Sequence, residues 1–403
     1  MNSAYLHPFA APTNDTYLKL VGGRGALIWD QDGAEYIDGA GGLFYNVVGH
    51  GRPELAAACE AQMRRLETYS SFEYLTNGPA EDLAATLLEL SKLATGRVFL
   101  CSSGSEAVDS AVKLARIAHT ITGQPDRTTV ISRHLSYHGM NYAGTSLQGI
   151  AVNRLGAPFV PGVERVPHDE LSAIRDLFED HGDQIAAVIA EPVIAAGGVY
   201  PATAEYLQGL RHLCDEYGAY LIFDEVVTGF GRLGTWFAAH YFDVVPDFVV
   251  FAKGVTSGYL PLGGVILGPR PTETLTSDPD FFLYHGYTHS GHATVSAVAI
   301  EHAAIVQREG LLGRVPHIGN RIESTLGSLQ EEGQIEEFRG AGAIIAAGLH
   351  PNKNARAVRG QMQSAGTIVR SIGVDSIVFC PPLVITDSEL DRMMETFIDS
   401  VTA

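Results

Sequence analysis

The chain has 403 residues and a formal net charge of −19. This length exceeds the size at which one hydrophobic core stops growing, so we expect two domains, or a large domain with a smaller one appended. A hydrophobic content of 46% and a charged content of 18% are those of an ordinary globular protein. The acidic balance argues against nucleic acid as a partner, because DNA binding needs basic groups that neutralise phosphates.

The sequence shows no sign of export or of membrane insertion. No apolar stretch approaches the ~20 residues that span a bilayer, and the N-terminal residues carry no signal-peptide pattern. The cysteines, which show no close pairing and no C-x-x-C motif, are Cys59, Cys101, Cys214 and Cys380. We therefore expect a cytoplasmic protein with free thiols and no membrane partner.

The first predicted elements are short strands near the N-terminus. Residues 26–29 and 35–38 have strand-like apolar patterns and lie on either side of an Asp32-Gly33 turn. Residues 53–68 have apolar positions at helical spacing and begin with a proline, which fits the first turn of a helix. We expect residues 20–50 to form short strands with turns and residues 53–68 to form a helix.

The central part of the chain alternates short apolar runs with amphipathic segments. Two of these segments, 104–121 and 203–217, are predicted helices. Runs that are apolar throughout are typical of strands buried on both faces, and their alternation with helices predicts a mostly parallel sheet flanked by helices. The apolar runs are Arg97–Cys101, Thr129–Ser132, Ala186–Ala190, Tyr220–Phe223, Phe248–Phe251 and Gly264–Leu267.

The tail after residue 291 has a different pattern, with a long helix, a second helix, two or three short strands and a final helix near 386–402. This α+β pattern predicts a second, smaller domain. We predict three regions along the chain. They are an N-terminal segment (1–50) that packs with the small domain, a large domain (51–295) and the C-terminal small domain (296–403).

In an open α/β sheet, ligands bind at the carboxyl ends of the strands, so residues just behind the apolar runs are candidates for chemistry. Lys253 follows one run and lies between small residues. In a desolvated site it would be a Schiff-base nucleophile, although a surface lysine is the simpler interpretation of this residue alone. Asp224 ends another run, where a carboxylate could bind a metal, act as a base, cap a helix or pair with a protonated ring nitrogen.

A small-residue turn joins the first apolar run of the sheet to the helix at 104–121. Ser103, Gly104 and Ser105 allow close approach of the backbone, and the free N–H groups at the start of a helix attract anions. The turn therefore predicts a phosphate site, although a plain helix cap with Glu106 in the first turn explains the same residues.

Two more positions are compatible with a ligand site. Tyr137 and His138 follow another run, where an aromatic ring could stack on a flat ligand or simply belong to the core. Arg370 lies in an apolar stretch of the tail, which indicates a carboxylate partner from either a substrate or the protein itself.

The sequence does not favour a metal site. His285, His289 and His292 are close in sequence, but no carboxylate or cysteine completes a standard ligand spacing. Taken together, the candidates supply a phosphate cup, a stacking aromatic, a carboxylate and a lysine, each just after a predicted strand. That set is what a site for pyridoxal 5′-phosphate (PLP) requires.

These residues resemble the class III (ω-amino acid) aminotransferases of PLP fold type I, and the resemblance covers almost the whole chain. The most specific part is the segment from Asp224 to Arg232, with Lys253 placed 29 residues after Asp224. The other matching motifs are Asp32-Gly33 with Tyr36-Ile37-Asp38, Gly49-His50-Gly51-Arg52-Pro53, Ser103-Gly104-Ser105-Glu106-Ala107, Tyr137-His138-Gly139, Thr288-His289-Ser290-Gly291-His292 and Pro381-Pro382-Leu383-Val384-Ile385.

The resemblance implies a PLP cofactor bound as a Schiff base to Lys253, which then moves the proton during transfer. It also implies that Asp224 pairs with the pyridine nitrogen and that Tyr137 and Val226 pack on opposite faces of the ring. The phosphate would be held by Ser103, Gly104 and Ser105, and by Thr288 of a neighbouring subunit. His138 and Glu191 would lie near the cofactor, and the shared site implies at least a homodimer.

Within the family, the chain is more similar to the amine/ω-amino acid:pyruvate subgroup, because it has the aliphatic Val227 where glutamate-using members often have Gln. By this resemblance Arg370 binds the carboxylate of the acceptor, and Phe44 lines the pocket for the small substituent together with Tyr137. We therefore expect ping-pong amino transfer from an amine or ω-amino acid to a 2-oxo acid, with pyruvate as the expected acceptor. The alternatives are an aminomutase, a decarboxylating aminotransferase and a non-catalytic PLP-binding homologue.

Overall fold

The computed structural model describes residues 4–93 and 95–402. No helix in this part of the chain is long and apolar enough to cross a membrane. The strands, in chain order, are β1 (Leu20–Arg24), β2 (Leu27–Asp30), β3 (Glu35–Asp38), β4 (Arg97–Cys101), β5 (Thr129–Arg133), β6 (Val163–Val166), β7 (Ile185–Ala190), β8 (Val193–Ile194), β9 (Tyr200–Pro201), β10 (Tyr220–Asp224), β11 (Phe248–Phe251), β12 (Gly263–Leu267), β13 (Glu337–Ala341), β14 (Ile344–Gly348), β15 (Thr367–Ile368), β16 (Arg370–Ile372) and β17 (Ser376–Phe379).

The helices pack around these strands. Short 3-10 turns occur at Ala151–Asn153, Gly182–Gln184, Lys253–Thr256 and Leu311–Arg314. The α-helices, in chain order, are α1 (Gly41–Phe44), α2 (Pro53–Arg65), α3 (Gly78–Ser91), α4 (Gly104–Ile121), α5 (Tyr142–Leu147), α6 (Leu171–His181), α7 (Ala204–Tyr217), α8 (Ala238–Tyr241), α9 (Pro269–Leu275), α10 (Ala293–Arg308), α11 (Val315–Glu331), α12 (Ala355–Ser364) and α13 (Asp387–Thr402).

The central sheet has seven strands in the order β4-β12-β11-β10-β7-β5-β6. All neighbouring pairs are parallel except the two that involve β12, which is antiparallel to β11 and to β4. Every residue of β7, β10 and β11 is buried, because helices cover both faces of the sheet. The predicted α/β class with a mostly parallel seven-stranded sheet is confirmed.

Two four-stranded sheets lie outside the central one, in addition to the two-stranded pair β8-β9. The first, β1-β2-β3-β15, combines three N-terminal strands with a strand of the tail, and β3 runs parallel to β15. The second, β13-β14-β17-β16, is antiparallel and belongs entirely to the tail. One apolar cluster joins residues of the N-terminal segment, such as Ile37, to residues of α11 and α13. The exact domain boundaries stay a prediction.

The helix α4 begins at the end of β4 for a local reason. The hydroxyl of Ser103 accepts a hydrogen bond from the backbone N–H of Glu106 at 3.2 Å, and the carboxylate of Glu106 accepts one from the N–H of Ser102 at 2.7 Å. The arrangement resembles a capping box, except that Glu106 binds the backbone of the residue before the N-cap Ser103. It fixes the direction of α4 at the carboxyl end of the sheet.

Candidate active site

Lys253 lies at the carboxyl end of β11, on the first residue of the 3-10 turn Lys253–Thr256. Its φ of 45° is in the left-handed region, which side chains other than glycine rarely adopt. Burial lowers the pKa of the Lys253 amine, and the carboxylates of Asp224 and Glu191 oppose that shift without reversing it. A lysine with a lowered pKa has a more available neutral amine, which is the form that acts as nucleophile and base.

The turn that carries Lys253 is held by buried polar side chains. The hydroxyl of Ser257 accepts hydrogen bonds from the backbone N–H groups of Val47 at 2.7 Å and Val48 at 3.1 Å. The same hydroxyl donates to Asn46 Oδ1 at 3.1 Å. Sequence analysis missed Asn46 and Ser257, because about two hundred residues separate them and no motif spacing links them. The signal that could have found them is a polar residue inside a short apolar stretch.

Asp224 is the last residue of β10, and its carboxylate is buried next to an imidazole. Asp224 Oδ2 lies 2.8 Å from Nδ1 of His138, which is also buried. Asp224 Oδ1 accepts a hydrogen bond from the backbone N–H of Val226 at 3.1 Å. A carboxylate only accepts hydrogen bonds, so His138 Nδ1 carries the proton in this pair. These contacts fix the orientation of the carboxylate.

Glu191 supports the same part of the site from the end of β7. Its Oε1 accepts a hydrogen bond from the backbone N–H of Tyr137 at 2.8 Å, and its Oε2 accepts one from Ala195 at 3.2 Å. Burial raises the pKa of the Glu191 carboxyl to about 6, the charge of Asp224 adds to that shift, and His138 opposes it. Burial also raises the pKa of Tyr137, with further contributions from Asp224 and Glu191.

The phosphate cup predicted at Ser103–Ser105 forms the start of α4 and lies next to Val226. A Cβ atom added to Gly104 would come within 3.1 Å of the Val226 side chain, so only a residue without a side chain fits there easily. The hydroxyl of Ser105 accepts a hydrogen bond from the backbone N–H of Met140 at 3.0 Å and keeps its own proton free to donate.

The two predicted substrate residues differ in their surroundings. Phe44 is buried, and the centre of its ring is 5.8 Å from Lys253 Nζ. Arg370, on β16, is exposed as a whole residue, whereas its guanidinium is partly desolvated. This desolvation and the charge of Arg359 lower the pKa of the guanidinium. Its charge also acts on Lys253. Within residues 4–93 and 95–402, the Arg370 side chain has no hydrogen bond or ion pair, so the internal salt bridge left open by the sequence is absent there.

Comparison with known proteins identifies this arrangement. The family model for class-III aminotransferases matches residues 9–401. The chain belongs to the class-III aminotransferases. It is therefore a PLP-dependent enzyme that transfers an amino group to a 2-oxo acid, as the sequence predicted.

Several characterised aminotransferases are similar over most of their length. A putrescine–pyruvate aminotransferase of Pseudomonas aeruginosa is 33% identical, and the match covers 92% of this chain and 87% of the relative. A mitochondrial gamma-aminobutyrate transaminase of Oryza sativa subsp. indica is 34% identical, with 99% of this chain and 84% of the relative covered.

Solved structures of transaminases share the fold. An amine transaminase from an uncultivated Pseudomonas species, solved with PLP bound, superposes with a TM-score of 0.95 at 33% identity and covers 100% of this chain and 99% of its own. An (S)-enantioselective omega-transaminase from Thermomicrobium roseum gives a TM-score of 0.94 at 33% identity, with coverage of 99% and 96%. The assignment to PLP fold type I is confirmed.

The residues of this class-III aminotransferase fit PLP. The buried amine of Lys253, the buried carboxylate of Asp224 and the capped start of α4 supply the three kinds of group that the aldehyde, ring nitrogen and phosphate need. In addition, the buried His138 Nε2 has no hydrogen-bond partner among the described residues. The individual roles of these residues stay predictions.

Glu225, which follows Asp224, is a structural residue that sequence analysis did not single out. It is fully buried, and its carboxylate accepts hydrogen bonds from the N–H groups of Ala238 and, at 2.9 Å, of Ala239, as well as from Thr228 at 3.1 Å. Burial raises the pKa of Glu225 to about 7. Its contacts are to Thr228 and to the start of α8 rather than to Lys253.

Thr288 and the neighbouring histidines lie apart from this cluster. Thr288 is exposed, in the segment before α10, and no described contact joins it to Lys253 or Asp224. His285 Nε2 is 2.9 Å from the hydroxyl of Ser110, and the rings of His289 and His292 are 6.0 Å apart. Among the described residues, no group of three or more His, Cys, Asp or Glu side chains could hold a metal ion.

Proposed function

We propose that the enzyme moves an amino group from an amine or ω-amino acid to pyruvate in two half-reactions. The observation that carries the proposal is the buried Lys253 amine beside Phe44 and near the unpaired Arg370. A relative named for putrescine and pyruvate, and structural neighbours named as amine and omega-transaminases, support this choice of substrates.

Lys253 is the residue proposed to move the proton. When bound, PLP supplies an electron sink that stabilises negative charge on the carbon bearing the amino group. Lys253 Nζ would take the proton from that carbon and deliver it to the carbon on the opposite side of the transferred nitrogen. Because burial lowers the pKa of the amine, the neutral form required for the first step is populated at a lower pH than for an exposed lysine.

Asp224, Tyr137 and Val226 are proposed to hold the cofactor ring. Asp224 faces the pyridine nitrogen, and its orientation is fixed by His138 and by the backbone of Val226. Tyr137 and Val226 cover the two faces of the ring. Ser103, Gly104 and Ser105 hold the phosphate through the free N–H groups of α4 and the serine hydroxyls.

Arg370 and Phe44 are proposed to select the substrates. A guanidinium without a carboxylate partner in a chain of net charge −19 is available to bind the carboxylate of a 2-oxo acid. Phe44 limits the space beside Lys253, so it restricts the smaller substituent of the donor. The exposed position of Arg370 allows its head group to move aside for a donor that lacks a carboxylate.

A homodimer is part of the proposal. A groove of about 1080 Å³ lies between the segments 71–76 and 282–286. Its lining includes Phe72, Tyr74 and Tyr284 and does not include Lys253. These aromatic side chains are exposed, and so is Thr288 in the same region. Such a patch is typical of an interface, which would bring Thr288 to the phosphate of a second subunit. A cytoplasmic location stays a prediction.

The test is a donor and acceptor screen. Purified enzyme is mixed with single donors, first without an acceptor and then with pyruvate or 2-oxoglutarate, while the absorption of bound PLP and the products are recorded. We expect a donor to change the absorption and pyruvate to restore it with formation of alanine. An aminomutase would turn over without an acceptor, a decarboxylating enzyme would release CO₂, and a non-catalytic homologue would show no change with any donor.

A further inference from the structure

Asp38, at the end of β3, is a buried carboxylate outside the cluster around Lys253. Its side chain is 2% exposed, and its Oδ2 is 2.8 Å from Nε2 of His50. Both carboxylate oxygens lie 2.9 Å from the backbone N–H of Gly42. The carboxylate only accepts, so His50 Nε2 and Gly42 are the donors. We call Asp38 and His50 the Asp38–His50 clamp.

The segment that the clamp holds is strained. Gly41, Gly42 and Phe44 have φ angles of 54°, 64° and 63°, all in the left-handed region. For Phe44 this conformation costs about 1 kcal/mol or more, so it persists only where surrounding contacts enforce it. The ring of Tyr45 lies against Gly42, where an added Cβ would approach it to 2.3 Å.

The strained segment ends at the ring that faces Lys253. Phe44 is 5% exposed, and its ring centre is 5.8 Å from Lys253 Nζ. Asp38 also pairs with Ile368 of β15 in parallel register, two residues before Arg370. Phe44 and Arg370 therefore follow the carboxyl ends of two paired strands, and Asp38 lies at the end of one of them.

We propose that the Asp38–His50 clamp positions Phe44 and so sets the size of donor substituent that fits beside Lys253. The inference rests on the proposed function, since Phe44 is taken to face the donor. Asp38 and His50 are positioning residues, because their contacts are to Gly42 and to each other rather than to Lys253. A firmly held Phe44 excludes bulky groups, and a loosened one admits them.

His50→Ala is the variant that tests the clamp with the least damage to the fold. The backbone of His50 pairs with Gly25 through two hydrogen bonds, of 2.8 and 3.0 Å, and these do not need the imidazole. His50→Gln keeps a donor at similar reach and is the rescue variant. The matched control is His317→Ala, because His317 Nε2 lies 2.9 Å from Asp387, between α11 and α13, in a histidine–aspartate pair that has no described hydrogen bond to residues 38–46.

The readout is the ratio of kcat/KM for a bulky arylalkyl amine to that for a small linear amine. We expect His50→Ala to raise this ratio about fivefold through a lower KM for the bulky amine, with kcat for the small amine unchanged; this change corresponds to about 1 kcal/mol. His50→Gln should stay within about twofold of the wild type, as should His317→Ala. An unchanged ratio in His50→Ala would overturn the proposal.

A double-mutant cycle shows whether the effect passes through Phe44. In a Phe44→Ala background, His50→Ala should change the ratio by less than about 1.5-fold, because the ring it positions is gone. If the fivefold effect persists without the Phe44 ring, the clamp acts elsewhere and the inference is wrong.

Amide hydrogen exchange tests the clamp independently of turnover. Peptides that cover residues 40–46 should exchange faster in His50→Ala than in the wild type and in His317→Ala, because the Gly42 N–H loses a fixed acceptor. Unchanged exchange of these peptides contradicts the clamp. If exchange rises but the wild type transfers no amino group from any donor, the proposed function fails while the structural role of the clamp stands.

Discussion

At the scale of single residues, Asp224 is the carboxylate whose loss should affect chemistry most. Asp224→Ala removes the group proposed to face the ring nitrogen and leaves His138 without its partner. We expect kcat to fall about 100-fold or more, as for removal of one fixed electrostatic group from an active site. Asp247→Asn is the control, because Asp247 is also buried but pairs with Arg211 and Arg270.

The control variant, Asp247→Asn, should unfold at a lower temperature than the wild type but keep the wild-type kcat per molecule of bound PLP. Steady-state kinetics and PLP content measured on the same preparations separate the two effects. A kcat for Asp224→Ala within a few-fold of the wild type would show that Asp224 does not have the proposed role at the ring nitrogen.

His302 predicts how stability depends on pH. Its ring is fully buried on α10, edge-on to Phe230, neither ring nitrogen has a well-formed partner among the described residues, and burial lowers its pKa to about 3. The unfolded chain therefore binds this proton below pH ~6.5 while the folded chain does not, so stability is lost as the pH falls from ~6.5 towards ~3. The loss from this residue is about 2 kcal/mol at pH 5.

His302→Leu removes this pH dependence. Urea unfolding at pH 8 and pH 5, at equal protein concentration, should show a smaller loss of stability for the variant than for the wild type. At pH 8 the variant should be about as stable as the wild type, because the lost imidazole leaves no strong hydrogen bond unmade. Equal losses in the two proteins would show that His302 is not the titrating group.

At the scale of elements, the capped start of α4 links stability to cofactor binding. Ser103→Ala removes the side-chain acceptor of the cap, which should cost about 1 kcal/mol of stability and weaken PLP binding. Thr203→Ala is the matched control, because Thr203 caps α7 with the same kind of bond, to the N–H of Tyr206 at 3.1 Å.

Thermal unfolding and PLP dissociation constants distinguish the two caps. Both variants should lower the unfolding temperature to a similar extent, but only Ser103→Ala should raise the dissociation constant of PLP. Equal PLP affinity in the two variants would show that the start of α4 does not hold the phosphate.

Strands that form a continuous apolar run could be predicted from the sequence, including the edge strand β4, and strands without such a run could not. The strands β7, β10 and β11 are buried throughout and apolar except for Asp224 at the end of β10, and they were predicted to within one residue at each end. The edge strand β6 escaped prediction because only one of its four residues is buried, so it forms no apolar run. The tail holds more strands than expected, because β15 and β16 are too short for a periodic pattern.

Some residues of the candidate site could likewise be predicted from the sequence, and others could not. Lys253 and Asp224 could be predicted because each lies at the carboxyl end of a fully buried strand and because their spacing matches a family. Ser257 and Asn46 could not, since a hydrogen bond between residues so distant in the chain leaves no local pattern. The same is true of the contacts between Asp38, Gly42 and His50, whose residues lie in recognised motifs but whose geometry does not follow from them.

At the scale of the whole molecule, the exposed aromatic groove predicts the assembly. We expect light scattering to give the mass of a dimer, or a multiple of it. Tyr284→Asp places a charge in the groove and should shift the enzyme towards monomers. PLP binding should weaken as well, because Thr288 of one subunit can then no longer reach the phosphate bound in the other. Tyr241→Asp, at an exposed tyrosine of α8 that does not line the groove, should leave the mass unchanged.

A wild-type enzyme that is monomeric at micromolar concentration and yet fully active would contradict the shared site. A Tyr284→Asp variant that keeps the mass and the PLP affinity of the wild type would place the interface elsewhere on the surface.

The central claim is that Lys253 carries the cofactor. Treatment of the purified enzyme with borohydride fixes PLP covalently to the lysine that holds it, and peptide mass spectrometry then locates the adduct. We predict the added mass on the peptide that contains Lys253, and its absence from that peptide when a competent amine donor is added before the borohydride. An adduct on any other lysine, or an adduct on Lys253 that no donor removes, would contradict this account.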